Sequence, residues 1–567
     1  MQKLAALFAV PLVVTAFAGG QAPGDRPASN PRATRSVVMA RNGAIATSQP
    51  LASAAGLRVL QQGGNAIDAA VTAAAVLAVV EPTMNGLGGD LFAIVHEGGT
   101  GTIRGLNASG RAPAAATPDE FRRRKLDQIP YRGPLSVSVP GVVDGWSELL
   151  SKYGTITLKQ ALEPAIGYAR DGFPVAEIVS VQWRDAESTL AQDPAAAATF
   201  LPGGKAPGPA DVFRNPRLAA TLETLAQRGR DAFYRGPIAR AIVEDMRHRS
   251  GLLSETDFAE HTSNWIEPLS TNYRGYDVLE LPPNTQGIVA LEMLNILEGY
   301  DLKSLGHNSA AYLHLLVEAK KAAFADRDAW IADPSSVPTA VIRRLLSNDY
   351  AAERRKAIDP HRAAESYAPL ALDGRTPAQE HPPQARGDTI YLTAADARSN
   401  VISLIQSIFE NFGAGIAAGD TGIILHNRGS LFSLSPGHPN LLAPGKRPFH
   451  TLVPAMVLKD KRPWLSFGVM GGDMQPQGHV QVLLNIIDFG MNVQEAGEAP
   501  RFRHSAAGLA LESAIRADAR FGLSQRGHRI ISSVGAFGGY QGILIDPRSR
   551  VLMAGSDPRK DGLAIGY

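Results

Sequence analysis

The chain has 567 residues, 44% hydrophobic and 19% charged, a formal net charge of +2 and no cysteine. That is the composition of a globular protein with material for one large domain or two to three ordinary ones, and its weak field, without a Lys/Arg cluster, argues against nucleic acid and favours a small-molecule or peptide partner. The lack of cysteine excludes disulfides, thiol nucleophiles and thiolate metal sites, so covalent catalysis falls to an oxygen nucleophile or a lysine.

At the N-terminus, Lys3 precedes an apolar run from Leu4 to Phe17, and Ala16-Phe17-Ala18 has the small-x-small form of a cleavage site. A run of about 15 apolar residues is shorter than the ~20 needed to span a bilayer. Residues 1–18 therefore read as a secretory signal, which predicts a secreted or periplasmic protein with no membrane attachment after its removal. Residues 19–36, rich in Pro, Arg and Ser, read as a disordered lead-in, and the fold begins near Val37.

Apolar spacing predicts a helix over 51–62. Gly63-Gly64 ends it, and Asn65 can cap a second helix, apolar nearly all round and hence buried, that runs to Val80. Glu81-Pro82 stops that helix, and Gly86-Leu-Gly-Gly89 turns the chain into a strand over 91–95. This glycine run lacks the Gly-Lys-Ser/Thr ending of a phosphate loop and reads as a tight turn. Amphipathic helices follow over 158–171, 216–227, 237–249 and 288–298, with a strand over 276–281. A long helix over 309–332 carries Leu313, Leu316, Val317 and Phe324 on one face, and its charged residues Lys320, Lys321, Asp326, Arg327 and Asp328 read as a solvated face.

Residues 372–388, with Pro377, Pro382 and Pro383 among polar residues, read as an exposed tether. It stops at Gly387-Asp388-Thr389, where a hairpin begins: an extended run over 390–395, a turn over 396–400 and a second run over 401–409. A cut before Thr389 makes that threonine an N-terminus whose hydroxyl lies beside its own amine, a nucleophile with a built-in base. Downstream, residues 411–416 read as a glycine turn, 422–425 as a strand, 427–433 as a polar loop and 464–470 as a strand. Gly471-Gly472 then precedes an apolar helix over 479–489. Two glycines between strand and helix can present backbone N–H groups to an oxyanion, and they can equally make a simple turn. No His-Glu-x-x-His, Gly-x-Ser-x-Gly or Walker-type motif occurs, and the 13 histidines, none paired at metal-ligand spacing on a clear helix, read as structural or superficial.

A dozen elements occur together in one order: Gly63-Gly-Asn-Ala-Ile-Asp-Ala-Ala70, Val80-Glu-Pro82 with Gly86-Leu-Gly-Gly89, Val139-Pro-Gly-Val142, Asp231-Ala-Phe-Tyr234, Tyr273-Arg-Gly-Tyr276, Phe324-Ala-Asp-Arg-Asp328, Gly387-Asp-Thr389, Phe412-Gly-Ala-Gly415, Gly445-Lys-Arg-Pro448, Gly471-Gly472, Ala499-Pro-Arg-Phe502 and Gly555-Ser-Asp-Pro-Arg559. Over residues 37–567 the chain thus resembles the gamma-glutamyltranspeptidase family of N-terminal nucleophile hydrolases. The resemblance implies an α+β fold, a four-layer αββα sandwich. It implies a precursor that cuts itself before Thr389 into a large subunit (37–388) and a small one (389–567), which stay together as one domain. It also implies an amide hydrolase or acyltransferase without cofactor or metal: Thr389 attacks, its α-amine shuttles the proton, Gly471 and Gly472 hold the oxyanion, and Ser407, where the family usually has threonine, bonds the nucleophile.

The substrate pocket departs from the family pattern. The arginine that grips a γ-glutamyl carboxylate aligns with Ser109, two residues from Arg111; the acidic pair that binds the α-amine aligns with Ser430-Leu431; the paired serines align with His450-Thr451; an asparagine position is Phe409; and the lid loop before Gly445 is short. This pattern resembles the acylase and amidohydrolase-like branch and predicts an amide substrate with a non-standard acyl group. A true γ-glutamyltransferase or glutathione hydrolase, and a non-catalytic secreted binding protein of the same fold, are the alternatives.

Overall fold

The computed structural model describes residues 33–374, 376–380, 389–533, 535 and 537–567. The signal at 1–18, most of the lead-in and residues 375 and 381–388 of the tether lie outside the described residues. Among the described residues no helix is long and apolar enough to cross a membrane.

Two seven-stranded sheets, antiparallel throughout, form the centre. One runs Leu563–Gly566, Gly43–Thr47, Ile390–Asp396, Val401–Ser407, Asp90–His96, Ile103–Ala108, Asn264–Ile266. The other runs Val38–Ala40, Leu552–Ser556, Tyr540–Ile545, Arg462–Val469, Ala455–Lys459, Tyr276–Glu280, Leu269–Tyr273. Each sheet contains strands from both sides of Thr389, so a chain cut there remains interleaved.

The hairpin at the centre of the first sheet is buried along its whole length, because both of its faces are covered. Leu392, Ala394, Ile402 and Leu404 pack with the helix Ala66–Val80. Tyr391, Ala395, Val401 and Ile405 point the other way, to Met456, Ile543 and Ala554 of the second sheet. That double burial is why these strands read as near-continuous apolar runs rather than a clean alternation. All fifteen residues of Ala66–Val80 are buried, and Asn65 and Asp68 close a reciprocal capping box at its start, as the sequence predicts. On its far face the second sheet packs against helices Gly287–Leu297, Ala310–Trp330 and Met474–Ile487.

Two expectations fail here, the strand over 422–425 and the solvated face of the long helix. Residues 422–425 form no strand: a 3-10 turn, Gly419–Thr421, precedes them, and they make only isolated bridges, Gly88 with Leu425 and Ala417 with Ile424. The loop expected over 427–433 is present and contains a buried 3-10 turn, Arg428–Leu431. The charged face of Ala310–Trp330 is not solvated, since Lys320, Asp326, Arg327 and Asp328 are all buried. The reason is tertiary. The chain after the helix, including Asn348–Ala357, folds back over it and brings counter-groups: Asp326 receives Arg354 Nη2 at 2.6 Å and the Tyr350 hydroxyl at 2.9 Å. Periodicity within the helix carries no trace of these partners.

Candidate active site

Antiparallel register places the candidate nucleophile. Ile390 pairs with Gln406, so Thr389, one residue earlier, stands opposite Ser407, and its Oγ donates to Ser407 Oγ at 3.2 Å. Ser407 Oγ also accepts from the Phe409 backbone N–H at 2.7 Å. Contacts between the sheets bring in the glycines. Thr393 Oγ meets Ser466 Oγ at 2.7 Å, and the Tyr391 ring lies against Gly468. Going back two residues along one strand thus goes forward two along the other, so the Thr389 end of its strand runs toward the Gly471 end of the other. Sequence reasoning named Thr389 and the two glycines; the opposed run of the two strands is the structure's addition.

Gly471 (φ +116°) and Gly472 (φ +58°) adopt backbone that side chains disfavour, and a Cβ on Gly471 would lie 3.1 Å from Gly538 Cα. The helix Met474–Ile487 begins directly after them, five residues earlier than the predicted 479, so the positive end of its dipole adjoins the two glycines. No described residue accepts a hydrogen bond from the N–H of either. Such a pair of N–H groups suits an oxyanion.

The carbonyl side of this turn is held by residues to which sequence reasoning gave no role. Gln286 Nε2 donates to Gly472 O at 3.1 Å and to Thr451 O at 2.9 Å. Gln286 Oε1 accepts from Arg327 Nη1 at 2.8 Å, and the same nitrogen donates to Asp473 Oδ1 at 2.7 Å. Burial would lower the Arg327 pKa, but Asp328 and Asp473 hold it above its ordinary value. Phe324–Asp328 was visible as a motif; nothing in its spacing said that it braces a turn some 145 residues away.

The pocket residues separate into distinct environments. Ser109 Oγ donates to Asn107 Oδ1 at 2.7 Å and accepts from Asn284 at 3.3 Å, so its hydroxyl is committed. Arg111 bonds Gly445 O at 3.2 Å and Asn264 Oδ1 at 3.3 Å, and lines a cavity of about 530 Å³ with Pro283 and Asp333. None of its hydrogen bonds reaches Thr389, Ser407 or the glycine turn. Ser430 and Leu431 line a different cavity, of about 340 Å³, with Arg327, Asp328, His438 and Phe449. Thr451 Oγ accepts from Arg428 Nη1 at 2.9 Å.

His450 Nε2 lies 3.0 Å from Asp90 Oδ2, and its Nδ1 accepts from the Leu452 N–H. Burial, then the nearby Arg428 charge, pushes the imidazole down to about 3, so it donates as a neutral ring. Burial alone would raise the Asp90 carboxyl; His426 and His450 hold it well below the usual range. A histidine kept neutral when folded destabilises the fold as pH falls below the unfolded value near 6.5, and the loss continues to about 3. His450 alone should contribute up to about 1.4 kcal/mol per pH unit across that window. Urea midpoints measured between pH 7 and 4 should therefore fall less steeply in His450→Gln than in the parent, and equal slopes would refute this.

His314, Glu318 and His528 converge, buried, contrary to the expectation of scattered histidines. The three are close enough to share a metal ion, yet each is already bonded. His314 Nδ1 meets His528 Nε2 at 2.8 Å and His314 Nε2 meets Asp359 O at 2.7 Å, while the Lys321 ammonium sits 2.5 Å from Glu318. A protein cation on the only carboxylate fits a hydrogen-bonded core better than a metal centre.

Residues 52–567 match the family model described as gamma-glutamyltranspeptidase. The chain belongs to the gamma-glutamyltranspeptidase family, and is an amide hydrolase of that family, made as a proenzyme. It is 40% identical over 530 residues to the glutathione hydrolase-like YwrD proenzyme of Bacillus subtilis (strain 168), covering 91% of this chain and 97% of the relative. It is 39% identical over 516 residues to the acylase ACY 1 proenzyme of Pseudomonas sp. (strain SE83), covering 89% and 90%. The crystal structure of a cephalosporin acylase from Bacillus halodurans superposes with a TM-score of 0.87 at 40% identity, covering 96% of this chain and 99% of that one. The reading as a non-catalytic binding protein is set aside.

Proposed function

We propose that the protein is a secreted or periplasmic, self-cleaving N-terminal threonine hydrolase with an αββα core, and that it removes an acyl group other than γ-glutamyl from an amide. The observation that carries the chemistry is Thr389 Oγ, hydrogen-bonded to Ser407 at the start of a central strand whose inter-sheet contacts run toward the Gly471-Gly472 turn, where no described residue accepts from either glycine N–H. After the cut, Thr389 Oγ adds to the substrate carbonyl and its proton passes to the α-amine. The two glycine N–H groups bind the oxyanion, and collapse expels the amine, which takes that proton, leaving an ester on Thr389. Water or an amine then repeats the addition and frees the acyl group. An α-amine with a pKa near 7.7–8.0 is substantially neutral at about pH 7.5, so this base needs little tuning.

The acyl preference is supported by the pocket. Leu431 brings no charge to an α-amine, Ser109 is bonded within the protein, and Arg111 faces another cavity. Two lost charge-assisted contacts, each typically about 1.5–3 kcal/mol, weaken γ-glutamyl binding by roughly two to four decades. The acylase relatives agree with this; the glutathione hydrolase-like relative favours the alternative, glutathione hydrolysis. A panel of γ-glutamyl, glutaryl and shorter dicarboxylic anilides assayed on the cleaved enzyme decides. The γ-glutamyl compound should be the poorest by kcat/KM, and finding it the best would establish the alternative.

A further inference from the structure

Arg428 poses a problem that the catalytic reading leaves unanswered. Its side chain is fully buried, with 0% exposure, yet among the described residues only one of its three nitrogens finds a hydrogen-bond partner: Nη1 donates to Thr451 Oγ, while Nε and Nη2 have none. No described carboxylate pairs with it. Asp90 is engaged by His450 and by the Gly110 N–H, and Glu410 takes the Tyr131 hydroxyl, so both attract the guanidinium only from a distance. Burial pushes Arg428 down to about 9, which leaves it charged at neutral pH. An unpaired buried cation with free N–H groups costs several kcal/mol unless an anion completes it.

Its position says which anion. The guanidinium lies over the Phe409 ring, 4.3 Å from the centroid, and the Phe409 N–H bonds the same Ser407 Oγ that receives Thr389. On its other side it holds Thr451, whose carbonyl shares Gln286 with Gly472. Arg428 is thus bracketed by residues that reach the nucleophile and residues that reach the oxyanion turn. Its loop is fixed from below: a Cβ on Gly429 would lie 2.8 Å from Ser136 O, and Asn427 bonds Tyr131 O at 2.8 Å and the Glu410 N–H at 3.1 Å.

Resting on the hydrolase reading above, we infer that Arg428 is the receptor for a carboxylate at the far end of the acyl group, and that the substrates are monoamides of short dicarboxylic acids. Nε and Nη2 form the edge of the guanidinium fork that takes both oxygens of a carboxylate. The same cation repels the α-ammonium of a glutamyl group, which adds discrimination to the loss of an acidic partner at Leu431.

The test uses the cleaved enzyme and compares glutaryl and succinyl 4-nitroanilides with the uncharged pentanoyl anilide. The ratio of kcat/KM, carboxylated over uncharged, should fall about 10- to 150-fold in Arg428→Gln, the range for one charge-assisted contact, and Arg428→Lys should lie between. Titration calorimetry with free glutarate against pentanamide reads the same site without turnover, and the parent should prefer glutarate. If Arg428→Gln does not fold, the parent's binding preference and Arg428→Lys decide. A parent that binds both ligands alike, or a selectivity ratio unmoved in either variant, overturns the inference. Best turnover of the uncharged anilide would overturn it while leaving the hydrolase standing, whereas best turnover of the γ-glutamyl anilide would instead remove the acyl-group reading above.

Discussion

Purified Thr389→Ala should run as one band near 58 kDa on a denaturing gel, where the parent, if residues 1–18 are removed as proposed, should give bands near about 39 and about 19 kDa. The cut is itself an acyl transfer. On the proposed reading, Thr389 Oγ adds to the Asp388 carbonyl, the C–N bond breaks, and the chain passes through an ester that water hydrolyses, leaving a carboxylate on 388 and a free amine on 389. Thr389 nitrogen is an amide until that bond breaks, so it cannot be the base of this first step; only afterwards does it become the amine that serves amide hydrolysis. Thr389 itself is 1% exposed. Thr389→Ser keeps an oxygen nucleophile and should still cleave. Two bands in Thr389→Ala would remove Thr389 from the role of nucleophile in self-cleavage.

Where local chemistry and pattern coincide, the sequence was legible. The Asn65 cap, the helix Leu158–Asp171 and the hairpin turn at Asp396 follow from side chains within a few residues of one another, and each stands where it was expected. The strand start just after Thr389 was legible for a related reason, lying at the boundary between two compositions. The parts that escaped depend on residues far apart in the chain. Arg327 and Asp473 are 146 positions apart and Arg428 and Thr451 are 23, and periodicity within one helix cannot report a partner on another. Charge on a helix usually means solvent; here the chain from Asn348 onward covers that face and turns the charges inward. Likewise Arg111 drew attention because it lies two residues from the position aligned with a carboxylate-binding arginine, while Arg428, enclosed in a glycine-containing loop, passed as part of a motif.

Arg327→Ala should cost both stability and turnover, in separable amounts. In the parent, Arg327 Nε and Nη2 each lie 2.7 Å from Asp328 Oδ1, and Nη1 serves Asp473 and Gln286 together. Truncation leaves two carboxylates without their cation beside a helix start, and breaking a buried pair in this way costs about 3–5 kcal/mol. A guanidinium midpoint should register that loss directly. Turnover suffers by another route. Without Arg327, the Gln286 amide loses the bond to its Oε1 and is held only through Nε2 on Gly472 O and Thr451 O, so the turn that carries the two glycine N–H groups is set less firmly, and kcat should fall by about 10²-fold, the lower end of the range for one oxyanion donor. Arg327→Lys distinguishes the two effects. It restores a positive charge and should recover part of the stability, but an ammonium lacks the planar fork needed to reach Asp328, Asp473 and Gln286 at once, so kcat should stay low. A lysine variant with parental kcat would show that the network only supports the fold and has no part in aiming the oxyanion donors.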